Sequence, residues 1–167
     1  MFERIYLIVT GTLTAYRAPE LISGLTTSRK PVITILTPNA GRVIAPRELA
    51  RVPGHHLVES YFDDNLLPRP APGLVLIAPC SFNTLNKLAA GVADNLALSI
   101  TQEMIGQGEP VIVAPSVNPA LWRHPLTARS IATLESWGVR VLAPNPADDY
   151  MMRPVVDILA EAEKRLK

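Results

Sequence analysis

The stretch Ala78-Pro-Cys-Ser-Phe-Asn-Thr-Leu-Asn-Lys-Leu-Ala-Ala-Gly-Val-Ala-Asp-Asn-Leu96 joins an apolar run, Leu74-Val-Leu-Ile-Ala78, to a helix-compatible segment whose first turn carries Ser81, Asn83 and Thr84. A strand that feeds directly into a helix is the repeating unit of a parallel α/β sheet. The turn also has a chemical meaning. The first backbone N–H groups of a helix lack intrahelical partners and sit at the positive end of its dipole, and here hydroxyl and amide side chains stand beside them. Such a turn suits an anion, a phosphate above all, or the edge of a cofactor.

Working outward, apolar strand-like runs recur at 5–9, 32–36, 111–114 and 139–142, and helix-compatible segments separate most of them. This alternation predicts a single Rossmann-like (flavodoxin-like) three-layer α/β domain over 1–167, with helices on both faces of a parallel sheet. A brief alternation at 56–61 suggests a further short strand. Helices are expected over 18–25, 46–51, 82–107, 124–137 and from Met152 or Pro154 to Leu166. The 16 prolines sit mainly in the joins, and Pro68-Arg-Pro-Ala-Pro72 reads as a stiff connector.

Composition narrows the classes of function. At 167 residues, 48% hydrophobic and 19% charged, the chain has enough apolar material for one substantial core and is short for two. A formal charge of +1 with scattered basic residues offers no field for nucleic acid or an anionic membrane, so neither is expected as a partner. No apolar run approaches membrane-spanning length, and the N-terminal run, preceded by Glu3 and ended by Gly11, reads as a buried strand and not a signal peptide. One cysteine, Cys80, excludes an intrachain disulfide and a zinc cluster; no metal site is expected, and a reducing compartment, the cytoplasm, is.

In open parallel sheets ligands bind beyond the carboxyl ends of the strands. The first such join, Thr10-Gly-Thr-Leu-Thr-Ala-Tyr-Arg17, combines a glycine with three hydroxyls and lacks the three-glycine dinucleotide fingerprint, which counts against NAD. The second is Thr37-Pro-Asn-Ala40, whose Thr37 or Asn39 also suits a helix cap. The third is the Ser81 turn, followed at a distance by Ala93-Asp94-Asn95-Leu96; the fourth is Ala114-Pro-Ser-Val-Asn-Pro-Ala-Leu-Trp122, where the Asn118 amide suits a substrate carboxylate or braces the turn.

In order and spacing these blocks resemble those of the homo-oligomeric flavin-containing cysteine decarboxylases, the family of phosphopantothenoylcysteine decarboxylase and the lantibiotic peptidyl-cysteine decarboxylases. The likeness runs from Arg4 to about Pro144. Gly11, Thr12, Ala15 and Tyr16 match the family's Gly-Ser-Ile-Ala-Ala-Tyr-Lys block, with Arg17 for the lysine. Thr37 and Ala40 match Thr-x-x-Ala, and Ser81, Asn83 and Thr84 match Pro-x-Ser-Ala-Asn-Thr, with Phe82 for the alanine. Pro115, Asn118 and Trp122 match Pro-x-Met-Asn-x-x-Met-Trp, with Val117 and Leu121 for the methionines. The resemblance implies FMN as cofactor, held by Thr10, Gly11, Thr12, Thr37, Ser81, Asn83, Thr84, Asp94 and Asn95, and substrate contact by Asn118. It also implies a homotrimer or homododecamer with the flavin between subunits, acting on a small molecule or peptide that carries a cysteine carboxylate.

The implied reaction is oxidative decarboxylation of that cysteine, a peptidyl C-terminal cysteine or phosphopantothenoylcysteine, to an enethiol, the flavin taking the thiol's electrons and a protein base its proton. The family's base is a histidine about fourteen residues before the proline of the Ser-Ala-Asn-Thr block, and counting back from Pro79 lands on Asn65. Asparagine accepts no proton at neutral pH, so either His55 or His56 reaches the site, or His124 faces it, or the reaction is lost. Among these His56 is carried forward with Asn65 and Asn118 as the catalytic candidates. The pairs Asp63-Asp64 and Asp148-Asp149 read as turn formers. Ala147 to Pro154 lacks the glycine-rich, cysteine-bearing flap of the coenzyme A branch, so the product is expected to stop at the enethiol, with Cys80 a small apolar filler. The alternatives are a non-catalytic FMN-binding regulatory or scaffold subunit and a flavin prenyltransferase, which shares the fold; the Asn118 block argues against the latter, whose branch carries Arg-Glu-x-Pro-Leu there.

Overall fold

The computed structural model describes residues 3–166, so the extreme ends of the expected 1–167 unit lie outside the described residues. The strands are β1 (Arg4–Val9), β2 (Val32–Leu36), β3 (His55–Leu57), β4 (Gly73–Cys80), β5 (Val111–Pro115) and β6 (Arg140–Val141). The helices are α1 (Ala18–Thr26), α2 (Pro46–Leu49), α3 (Phe82–Ala89), α4 (Leu96–Gln107), α5 (Pro119–Trp122), α6 (Pro125–Ser136) and α7 (Val155–Leu166). None of these helices is long and apolar enough to cross a membrane.

Successive side chains of a strand point to opposite faces, so β1 feeds two cores. Ile5, Leu7 and Val9 share one with Leu21 and Ile22 of α1 and Val155 and Ile158 of α7. Tyr6 and Ile8 share the other with Leu85 and Leu88 of α3, Leu98 and Met104 of α4, and Leu134 of α6. A sheet covered on both faces needs near-continuous apolar strands, and β4 is buried along its whole length.

All pairings are parallel, in the order β3-β2-β1-β4-β5-β6. The chain proceeds one way from β1 to β3 and the other way from β4 to β6. That reversal opens a crevice above the carboxyl ends of β1 and β4. Thr10 locks the two strand tips together. Fully buried, its hydroxyl donates to the Pro79 carbonyl at 2.8 Å and accepts from the Ser81 amide at 2.8 Å, while its own amide donates to Pro79 at 3.2 Å. Next to it, Gly11 permits a close approach of the β1 and β2 joins, since a Cβ there would lie 2.6 Å from the Asn39 Cβ.

The structure corrects several expected boundaries. The helix expected over 82–107 is two helices. Gly91, at φ +71°, ends α3 in a left-handed turn where Val92 N–H bonds to Lys87 O at 2.9 Å and Gly91 N–H to Leu88 O at 3.0 Å; Asn95 then caps α4, its side chain accepting the Leu98 amide at 3.0 Å. The strand expected over 56–61 is His55–Leu57, after which the chain leaves the sheet. Leu66 of this excursion fills the core beside Tyr6, in place of a crossover helix, and the Tyr61 hydroxyl donates to Glu103 of α4. The segment 46–51 shortens to Pro46–Leu49, and α5 was unforeseen.

Replacing Thr10 by valine keeps the shape of the side chain and leaves the half-buried Ser81 amide without its acceptor. Unfolding in urea is expected to show a loss of about 1–3 kcal/mol for Thr10→Val, most of it recovered in Thr10→Ser; an unchanged midpoint in the valine variant would show that the lock contributes nothing.

Candidate functional site

The crevice at the switch point holds two adjoining cavities that share Gly11, Ser81 and Asn83. One, of about 290 Å³, is polar, bounded by Thr37, Asn39, Thr84, Lys87, Asp94 and Asn95. The other, of about 560 Å³, is more apolar, with Leu13, Phe82, Val117, Leu121 and Met151 alongside Thr12, Ser116, Asn118 and Asp149. Both volumes lie at or within the range, roughly 300–1,000 Å³, in which small-molecule and cofactor sites fall.

Local capping aims the polar groups. Ser81 caps α3 by accepting the Thr84 amide at 3.2 Å, and its own amide is held by Thr10, which leaves the amides of Phe82 and Asn83 as the helix's outward N–H groups. Thr12, Thr14 and Ser116 form a hydroxyl chain, 2.8 Å at each link, that ties the β1 join to the β5 join. Asn118 caps α5 by accepting the Leu121 amide through Oδ1 at 2.9 Å. That cap orients the amide, so its NH2 donors remain for a carboxylate. Lys87 and Asp94 form an ion pair across the break between α3 and α4, which brings Asp94 and Asn95 back to the crevice.

Of the residues expected to bind the cofactor, Gly11, Thr12, Thr37, Ser81, Asn83, Thr84, Asp94 and Asn95 line this crevice. Thr10 lies beneath it, fully buried, with its hydroxyl spent on the strand tips. Asn118 lines the larger cavity. Cys80 is fully buried and burial pushes its thiol pKa well up, consistent with an inert filler.

The catalytic candidates of the β3–β4 region lie elsewhere. His56 pairs in register with Ile33, near the start of β2, four residues short of Thr37 and so about 13 Å from the strand tips at ~3.3 Å per residue. His55 is exhausted by contacts with Thr34 Oγ1 at 2.8 Å and Leu49 O at 2.9 Å. The carbonyl of Asn65 accepts from Arg4, the first residue of β1, at the opposite end of the sheet. Its backbone and side-chain amides both donate to Asp63 at 2.8 Å, a turn that holds the Asp63 carboxyl below its ordinary pKa. His124 is the histidine placed near the crevice, its ring edge-on to Phe82 with centroids 5.3 Å apart. It caps α6 by accepting the Leu126 amide through Nδ1 at 3.1 Å, so the neutral ring carries its proton on Nε2.

Sequence reasoning missed the wall formed by residues 145–151. Asn145 and Met151 make an antiparallel bridge, the Asn145 side chain accepts from the Ala147 amide at 3.1 Å, and Tyr150 N–H donates to Asn145 O at 3.0 Å. Asp149 and Tyr150 take left-handed backbone angles of φ 49° and 60°. Tyr150 stacks on Trp122 at 6.1 Å between centroids and its carbonyl accepts from Val117, which seats Asp149 and Met151 against the larger cavity. Asp149 was read as a turn former; Asn145 followed by Pro146 was the local signal of a closed loop, but nothing local revealed what the loop would cover.

Comparison with known proteins agrees with this geometry. The chain is 31% identical over 151 residues to a probable phosphopantothenoylcysteine decarboxylase of Streptococcus mutans, spanning 86% of this chain and 84% of that one. It is 27% identical over 145 residues to the coenzyme A biosynthesis bifunctional protein CoaBC of Haemophilus influenzae, matching 82% of this chain but only 35% of that longer protein. The crystal structure of HAL3 from Cryptococcus neoformans superposes with a TM-score of 0.82 at 28% identity, covering 99% of this chain and 96% of the other. A family model described as Flavoprotein matches residues 2–167, and the chain therefore belongs to the flavoprotein family.

Proposed function

We propose that this chain is one FMN-binding domain that oxidatively decarboxylates a cysteine carboxyl group, in a peptide C-terminus or a pantothenoyl conjugate, to an enethiol. The observation that carries the proposal is the pairing of two unlike cavities over one switch point, with the α3 turn and its anion-holding amides between them: a polar one, and an apolar one lined by Asn118.

The donor set suits FMN. The amides of Phe82 and Asn83 at the positive end of α3 are donors for a phosphate, while the Ser81 hydroxyl beside them is spent on Thr84 and fixes the turn. Gly11 keeps backbone where a side chain would collide with Asn39. Thr37, Asp94 and Asn95 supply polar contacts in the neighbouring cavity. When bound, the flavin would supply the two-electron oxidation of the cysteine thiol to a thioaldehyde, whose carbon can accept the electron pair released with CO2. The chain itself orients and dries the reaction. The Asn118 NH2 would hold the carboxylate, while Phe82, Leu121 and Met151 exclude water from around it.

Exposed Leu13 and Tyr16, on the β1 join at the rim of the crevice, support assembly of several copies, a homotrimer or homododecamer, around this edge. A cytoplasmic location accords with the single, reduced cysteine.

A second reading, an FMN-binding subunit without turnover, is favoured by one observation: within the described residues His55 and His56 sit away from the crevice and His124 spends Nδ1 on a cap.

Two measurements test the proposal. Purified protein is expected to be yellow or to take up added FMN, and Ser81→Ala, which loses the α3 cap and the hydroxyl link to Thr84, should weaken FMN binding by about tenfold or more in a fluorescence titration; a colourless protein that ignores FMN refutes the flavin site. Incubation with a peptide ending in cysteine should remove about 46 Da, CO2 plus two hydrogens, and Asn118→Ala should abolish that loss while retaining bound flavin. Flavin-loaded wild type that leaves the peptide unchanged would favour the non-catalytic subunit.

A further inference from the structure

Resting on the decarboxylase reading above, we propose that Asp149 makes the larger cavity a charge filter, selecting cysteine-bearing substrates that are phosphate-free and neutral or cationic next to the cysteine, and rejecting phosphorylated ones.

Among the residues lining this cavity Asp149 is the one that ionises; the others are apolar, hydroxyl, amide or glycine. No cation on the wall answers it. Lys87 borders the polar cavity and is already paired with Asp94. Arg17 is engaged by Glu20 at 2.7 Å, and Arg153 lies 3.8 Å from Asp157 on α7. Arg123, at the end of α5, lies outside the lining. The loop that carries this carboxylate is held in position. The Asn145–Met151 bridge, the Asn145 side-chain bond to Ala147 and the stacking of Tyr150 on Trp122 fix the loop on either side of it.

The consequence for substrates is asymmetric. The anion-holding amides of the crevice belong to the α3 turn, which the cofactor phosphate would occupy, and the donors left for the substrate carboxylate, the Asn118 amide and the Ser116 hydroxyl, carry no charge. A second anionic group on the substrate would face a carboxylate with no cation to offset it. Asp149 is exposed, so the like-charge repulsion acts through solvent and falls as salt screens it. A peptide backbone or a pantothenoyl amide, being uncharged, meets no such penalty and can lie along Phe82, Val117 and Leu121.

The test uses FMN-loaded full-length protein and two thiol-free analogues, pantothenoylserine and 4′-phosphopantothenoylserine, titrated by calorimetry. In the wild type the unphosphorylated analogue is expected to bind about tenfold more tightly at low salt, the ratio shrinking as salt is raised. In Asp149→Asn the ratio should fall to about twofold or less, while Asp149→Glu should retain it. Asparagine tolerates the left-handed backbone of this position, so the Asn variant is expected to fold. Equal affinities in the wild type, tighter binding of the phosphorylated analogue, a ratio indifferent to Asp149→Asn, or no binding of either analogue overturns the inference. The corresponding cysteine compounds, followed by mass spectrometry, keep the two ideas separate: failure to decarboxylate either one defeats the decarboxylase reading, while the affinity ratio still decides the role of Asp149.

Discussion

A single buried hydroxyl organises the working end of this sheet. Thr10 sits where the chain direction reverses, and only a side chain that donates and accepts at once can satisfy both the Pro79 carbonyl and the Ser81 amide across the β1–β4 boundary. Because Ser81 is the cap of α3, the lock also fixes where that helix begins and where its outward amides point. The lock is worth little more than an ordinary hydrogen bond while intact; the larger quantity is the cost of leaving its partners dry and unpaired. The crevice thus inherits its geometry from a contact that is not in its lining.

The two cavities divide the labour by polarity. The protein carries almost no net charge, so an anion in the crevice would meet oriented dipoles at short range: helix amides, hydroxyls and asparagine amides. Three asparagines illustrate the economy. Asn95, Asn118 and Asn145 each spend a side-chain oxygen on capping a backbone amide, and Asn95 and Asn118 also line the crevice.

Much of this was legible before any coordinates. The strands announce themselves because both faces of the sheet are covered, which forces the runs at 5–9, 32–36 and 74–78 to be apolar without alternation. The polar joins after β1, β2, β4 and β5 converge as expected, since parallel strands in one sheet put all their carboxyl ends on one edge. The break between α3 and α4 was also written locally, in Gly91 and Asn95, but apolar spacing on either side of it concealed the interruption. Without that break Asp94 and Asn95 would lie a full helix away from Ser81.

Other features depended on pairs of residues far apart in the chain, about which local patterns carry no information. His56 looks as eligible as any histidine until its pairing with Ile33 puts it at the wrong end of β2, and Asn65 until its contact with Arg4 does the same at β1. Asp149 shows the reverse case. As one of two adjacent acids after a proline it reads as a solvated turn and is indeed exposed, yet it also borders the larger cavity because Tyr150 finds Trp122, twenty-eight positions earlier, to stack upon. Periodicity and punctuation act over a few residues and so specify elements; the identity of a site's neighbours is a matter of packing between elements, which exists only once the chain has closed on itself.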